Sequence, residues 1–173
     1  DPDVACFTNL SPEHLDFHVT MEEYAKAKQG FFTELLPAGH TAVLNGDDPV
    51  GREMAQAIKG RRVCLFGRGE HVDVRASSVR HTPEGAVFRM TSPWGEAEVR
   101  SPLIGGHNIM NVLGAAASAL AAELPMEAVL EGVASLGAIP GRLEPVHAGQ
   151  DFQVFVDYAH TPDGVEKVLQ AVR

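Results

Sequence analysis

Cysteine is scarce in this sequence. Cys6 and Cys64 are the only two among 173 residues, and both stand among apolar neighbours. That excludes a disulfide framework or a thiolate metal cluster as an organising device, and predicts two reduced core thiols of the kind found in cytoplasmic proteins. Basic residues are few as well: 14 Lys and Arg face 23 Asp and Glu, for a formal net charge of -9. Phosphate contacts are carried by Lys and Arg, so a sequence-independent nucleic-acid binder is not expected. No run approaches the ~18 apolar residues of a membrane span, and Asp1-Pro2-Asp3 has no signal-peptide character. There is also no Gly-Lys dipeptide. The glycine-rich Gly-Lys-Ser/Thr phosphate loop of many nucleoside-triphosphate enzymes is therefore missing.

What is present is ordinary globular composition, 45% hydrophobic. Val4 to Asn9 reads as a buried strand starting almost at residue 1. Phe152 to Tyr158 followed by Thr161 to Arg173 reads as a βα unit cut from a larger sheet, so the chain is expected to be a fragment. Ser11-Pro12-Glu13 predicts a short helix carrying His14 and His18 one turn apart. Thr20 with Glu23 caps a longer helix whose apolar face runs from Met21 to Leu35, with Lys28 on or beside it. Thr41 to Leu44 is a strand leading into the turn Asn45-Gly46-Asp47-Asp48-Pro49, at the edge where α/β sheets bind ligands. Short β segments at 63–66, 72–75, 86–90 and 97–100, separated by Pro83-Glu84-Gly85 and Pro93-Trp94-Gly95, predict a small antiparallel sheet beside the main one. Helices are expected over 108–124 and 126–136, with Pro125 preventing their fusion.

Four groups could carry chemistry. His14 and His18 share a helix face as metal ligands would, or they cap and pack. Lys28 either snorkels outward or, if buried, holds a neutral amine able to take up carbon dioxide as a carbamate, an anionic oxygen ligand suited to magnesium. Asn108 and Asn111 either cap a helix start or read the edge of an adenine. Arg142 follows a turn in Pro140-Gly141-Arg142-Leu143-Glu144, and Asp157 ends a strand in Asp157-Tyr158-Ala159-His160-Thr161-Pro162. Each is as compatible with a surface arginine and a helix cap as with a binding site.

In order, Thr8-Asn9-Leu10-Ser11-Pro12-Glu13-His14-Leu15-Asp16-Phe17-His18, Met21 through Lys28, Leu44-Asn45-Gly46-Asp47-Asp48, Gly106-His107-Asn108-Ile109-Met110-Asn111 and the two later motifs closely resemble the Mur ligases, most of all the MurE type. The likeness spans nearly the whole chain. It implies an α/β fold: residues 1–145 as part of a central mononucleotide-binding-type domain, a mostly parallel sheet with helices and a small antiparallel subsheet, and 146–173 as the first βα unit of a Rossmann-like C-terminal domain. The family's phosphate loop lies upstream of the matching segment, so its absence here does not speak against ATP.

The resemblance further implies ATP and magnesium as cofactors. His14 would be a catalytic magnesium ligand and Lys28 the catalytic lysine carried as N6-carboxylysine, also on magnesium, with Lys26 the weaker match. Asn108 and Asn111 would contact adenine, Arg142 the nucleotide phosphates and Asp157 the ribose. No role carries over to His160. The implied reaction phosphorylates UDP-MurNAc-L-Ala-D-Glu and passes the acyl phosphate to meso-diaminopimelate or L-lysine. Val19 and Glu123 depart from the usual pattern without touching a proposed ligand. The rivals are a MurF-type ligase, a folylpolyglutamate synthase, or a non-catalytic nucleotide-binding remnant. By themselves these 173 residues are expected to hydrolyse ATP negligibly.

Overall fold

The apolar runs near the start of the chain pair as parallel strands β1 (Val4–Phe7), β2 (Thr41–Asn45) and β3 (Arg62–Gly67). The structure is a computed structural model that describes residues 2–12, 18, 20–82 and 85–173. β2 is apolar at odd and even positions alike because both faces of a parallel sheet are covered. Ala42 and Leu44 enter one core with Phe32, Leu36 and Met54. Val43 enters the other with Cys64, Phe66 and Leu113.

Next come β4 (Val74–Thr82), β5 (Gly85–Ser92) and β6 (Gly95–Ser101). The strand expected at 72–75 thus begins two residues later and runs on to Thr82. β4 is parallel to β3 through Phe66↔Val74 and Gly67↔Arg75, after which β4, β5 and β6 form an antiparallel meander. The subsheet is not beside the main sheet but continuous with it, in six strands ordered β1-β2-β3-β4-β5-β6. Ser78, at φ 52°, sits where the β4–β5 register shifts between Ser77 and Arg80, as a bulge does.

One sheet face carries α2 (Pro49–Ala57) and the turn that ends α1 (Met21–Gly30), while α1 itself buries no residue, so the apolar face expected from Met21 to Leu35 is a core face only at Phe32. The Thr20 hydroxyl accepts from the Glu23 amide at 3.2 Å, as the cap pattern predicts. The helix expected to reach Leu35 instead ends in a π-helical turn, Phe31–Leu35, closed by the Leu36 amide on the Phe31 carbonyl at 2.9 Å. The widened turn places Phe32 in the core, with its ring edge-on to Phe7 at 6.5 Å. The helix α2 was not expected from the turn-rich stretch preceding it. Asp48 caps it and Pro49 opens it, and it lies so close to β2 that a Cβ on Gly51 would fall 2.0 Å from the Asn45 carbonyl oxygen.

The other face carries α3 (Gly106–Ala121) and α4 (Met126–Ala134). Both stop short of their expected ends. Glu123 takes a left-handed φ of 67° just past α3, and Pro125 separates the two helices. α3 covers β1 to β4 and α4 covers β6. At the end of the chain, β7 (Glu144–Pro145) and β8 (Phe155–Val156) make a two-stranded antiparallel ladder before α5 (Pro162–Ala171). The seven-residue strand expected at 152–158 shrinks to two residues because β7 offers it only two partners.

The expectation of two core thiols holds for one. Cys64 is buried, whereas Cys6 is exposed on the edge strand β1. The residue is exposed as a whole, but its sulfur is turned toward α3, 4.0 Å from the Gly114 carbonyl oxygen, and this partial enclosure pushes the Cys6 thiol up, with a hydrogen bond to Ser118 opposing. Burial, with Asp73 and then Cys6 nearby, pushes the Cys64 thiol to about 12. The helix expected from Ser11-Pro12-Glu13, and with it His14, lies outside the described residues.

Candidate functional site

Parallel strands gather their following loops at one sheet edge, and here those loops are tied to each other. The Asn45 Nδ2 donates to the Thr8 carbonyl at 2.6 Å, and the Leu10 amide donates to Asp48 Oδ2 at 3.2 Å. The other oxygen of Asp48 caps α2 through the Val50 amide at 2.8 Å. Asp47 takes the Arg68 and Gly69 amides at 2.7 and 3.0 Å. The Asn45–Asp48 turn, placed by sequence at a ligand-binding edge, therefore acts as a brace whose carboxylates hold backbone.

Beside it, Thr8 and Asn9 from the β1 exit, and His18, Tyr24, Lys28, Phe31 and Phe32, line a cavity of about 400 Å³. The Tyr24 ring stacks on His18 at 4.9 Å and 19°, and the Lys28 Nζ lies 5.1 Å from the centre of the same ring. Lys28 is exposed. Of the two sequence readings the outward one describes this arrangement, with the Lys28 side chain over an aromatic face. Among the described residues no three His, Cys, Asp or Glu side chains converge as a metal cage. Thr8 and Asn9 line the cavity with neutral groups, to which an N-carboxylated Lys28 would add the anionic oxygen that magnesium takes.

A second cavity of about 640 Å³ opens where α3 begins, lined by His81, Thr82, Gly105, His107, Met110 and, from α5, Lys167. It shares no lining residue with the first. Gly105, at φ 97°, leads into α3 and leaves room for the His107 ring, which a Cβ there would meet at 2.8 Å. Burial lowers the His107 pKa; Asp157 opposes this, while Lys167 and Arg142 add to it. His107 thus marks the place where α3, the Arg142 turn, the β8 exit and α5 converge.

Asn108 is buried, its Nδ2 on the Ile104 carbonyl at 2.7 Å and its Oδ1 accepting from the Asn111 Nδ2 at 3.0 Å. Asn111 is exposed. Asp157 accepts from the Leu143 amide through Oδ2 and from the Ala159 amide through Oδ1, both at 2.7 Å. The Leu143 bond joins the Arg142 turn to the β8 exit and leaves the exposed Arg142 guanidinium 5.8 Å from the Tyr158 ring. His160 Nδ1 meets the Tyr158 carbonyl at 2.9 Å. Sequence reasoning quotes His107 within a motif without a role and gives Lys167 none. Its available signal was the spacing of Lys167 on the face of α5.

A six-stranded mixed sheet covered by helices on both faces, with polar clusters at the β1 exit and at the start of α3, is the frame of a Mur ligase central domain. The chain belongs to that family: the Mur ligase middle domain matches residues 1–119. It is 45% identical over 178 residues to the UDP-N-acetylmuramoyl-L-alanyl-D-glutamate--2,6-diaminopimelate ligase of Bacillus licheniformis, covering 100% of this chain and 36% of that protein. The chain therefore spans about a third of the length of this curated relative. Among solved structures it resembles MurF from Acinetobacter baumannii, at TM-score 0.89 and 26% identity over 98% of this chain and 37% of that one. It also resembles Mycobacterium tuberculosis folylpolyglutamate synthase complexed with ADP and AMPPCP, at TM-score 0.80 and 26% identity over 98% and 39%.

Proposed function

We propose that the intact protein uses ATP and magnesium to join diaminopimelate to UDP-MurNAc-L-Ala-D-Glu through an acyl phosphate, in the cytoplasm, during the building of peptidoglycan precursors. The observation that carries this reading is whole-chain similarity to a ligase named for that amino acid. Residues 1–145 would be part of the ATP-binding domain and 146–173 the start of the C-terminal ligase domain. Among the described residues no helix is long and apolar enough to cross a membrane, and the substrates are small molecules.

In this reading Asn111 presents its exposed carboxamide to adenine. Arg142, exposed and carried on a turn braced by Asp157, reaches the nucleotide phosphates, and Asp157 has lone pairs left for a ribose hydroxyl beyond the two amides it holds. Lys28, as N6-carboxylysine, and His14 would hold magnesium. When bound, the metal and nucleotide supply the transferable phosphoryl group and neutralise its charge. The chain's part is placement, which carries most of the catalysis in such transfers.

The deciding experiment follows phosphate release by the intact protein with ATP, magnesium and UDP-MurNAc-L-Ala-D-Glu, offered meso-diaminopimelate, L-lysine or neither. Release that depends on meso-diaminopimelate supports the reading, dependence on L-lysine corrects the acceptor, and no release with either removes it. Arg142→Ala should raise the ATP concentration needed by about ten- to a hundredfold, since a charge-assisted contact contributes roughly 1.5–3 kcal/mol. An unchanged ATP titration would leave Arg142 as a partner of Tyr158 alone.

A further inference from the structure

The two asparagines at the start of α3 are not equivalent. Asn108 is 6% exposed and both ends of its carboxamide are occupied. A backbone carbonyl can only accept, so the bond from Asn108 to Ile104 identifies the end facing Ile104 as the NH2 and turns the Asn108 oxygen toward Asn111. That oxygen in turn can only accept, so Asn111 must offer it an N–H. One N–H and the carbonyl oxygen of Asn111 then remain at an exposed position. A one-way relay runs from the Ile104 carbonyl through a buried amide to a surface amide, and it decides which end of the surface amide is the acceptor.

We propose that Asn108 is a positioning residue for purine selection: it does not touch the base, but locks Asn111 with its oxygen outward to accept from a 6-amino group. This rests on the nucleotide reading of Asn111 above. Adenine shows a donor, the 6-amino group, beside a ring-nitrogen acceptor, and the remaining oxygen and N–H of Asn111 complement that pair. A 6-oxopurine sets an acceptor against the locked oxygen, leaving two acceptors face to face, and sites built around such a bond reject the wrong partner strongly. Without Asn108 the Asn111 amide is free to turn over and offer N–H to a 6-oxo group, so discrimination is lost while part of the binding is kept.

The test compares kcat/KM for ATP and ITP, which differ at the purine 6-position, in the intact protein with its peptidoglycan substrates. Asn108→Ala should lower the ATP-to-ITP ratio by about tenfold, the scale of a two-point base contact. Asn108→Ser can still answer the Ile104 carbonyl but is too short to reach Asn111, so it should show the same loss even if the alanine variant folds poorly. The loss should appear as a gain for ITP against ATP rather than as an equal fall for both nucleotides, which is what a merely structural role would produce. Asn111→Ala separates the two layers. If it leaves both the ATP requirement and the ratio unchanged, the nucleotide reading itself fails. If it lowers the ratio while folded Asn108→Ser does not, the relay is overturned and the nucleotide reading stands.

Discussion

Lys28→Ala is expected to lower amide-bond formation by the intact protein at least ~100-fold, the usual loss when one preorganised electrostatic group is removed from a reacting centre. Among the described residues, Thr8, Asn9, His18 and Tyr24 line the cavity around Lys28 and no carboxylate does. A carbamate, formed as the amine adds to carbon dioxide and releases a proton, would bring an anionic oxygen to these neutral groups. Because Lys28 is exposed, carbon dioxide can reach it, and a bound cation would have to hold the carbamate in place. Two results follow from that account. Short-chain carboxylates in solution should restore part of the activity of Lys28→Ala, since a free acid can enter the space left by the side chain, whereas amines should not. A fully active Lys28→Ala enzyme would end the carbamate role, and an inactive one that no acid rescues would assign Lys28 to holding the His18–Tyr24 stack.

The largest effect on stability is expected at Phe66. It is fully buried on β3, inside the core that α3 covers, and its ring lies against Gly114, where a Cβ would stand 3.1 Å from Phe66 Cζ. The helix was built close to the sheet around that ring, so the space left by truncation cannot close without moving α3. Phe66→Ala should therefore cost about 3–5 kcal/mol, a large share of the roughly 5–15 kcal/mol that holds a domain folded. In thermal unfolding of the 173-residue chain this reads as a midpoint lower by on the order of 10 °C. Phe66→Leu, which keeps most of the volume, should lose much less. A drop of only a degree or two for alanine would mean that α3 can settle onto the sheet, and that the Gly114 contact does not fix its height.

The legible parts of the sequence were those where one physical rule acts alone. Thr41–Asn45 is apolar on both faces and could only be a covered strand, and Thr20 with Glu23 is a local cap that no distant contact needed to confirm. The helix α2 escaped notice because Asp48 and Pro49, which cap and open it, are also the commonest residues of a turn. Strand β8 was read too long because its length depends on β7, and a strand's length belongs to the pair. Cys6 was read as buried from its neighbours, yet it sits on an edge strand, and edges are a matter of topology. At the site, residue types nominated Lys28, Asn108, Asn111, Arg142 and Asp157. Their burial, which separates the outward Asn111 from the enclosed Asn108, is set by helix α3 as a whole and is invisible in the pair's spacing.

The two outer strands of the sheet differ in their resistance to aggregation. β6 carries Glu96, Glu98 and Arg100, with Arg89 paired to Glu96 and Arg100 to Glu98, and charge of this kind discourages another strand from adding on. β1, with the sequence Val-Ala-Cys-Phe, has no charge at all and pairs only with β2 among the described residues. Self-association of the isolated 173-residue chain is thus expected to start at β1. Cys6→Lys, which puts a charge at the exposed position of that strand, should lower light scattering at high protein concentration; unchanged scattering would place the sticking point elsewhere. One end of the sheet is guarded by its own sequence, and the other is left to whatever covers it.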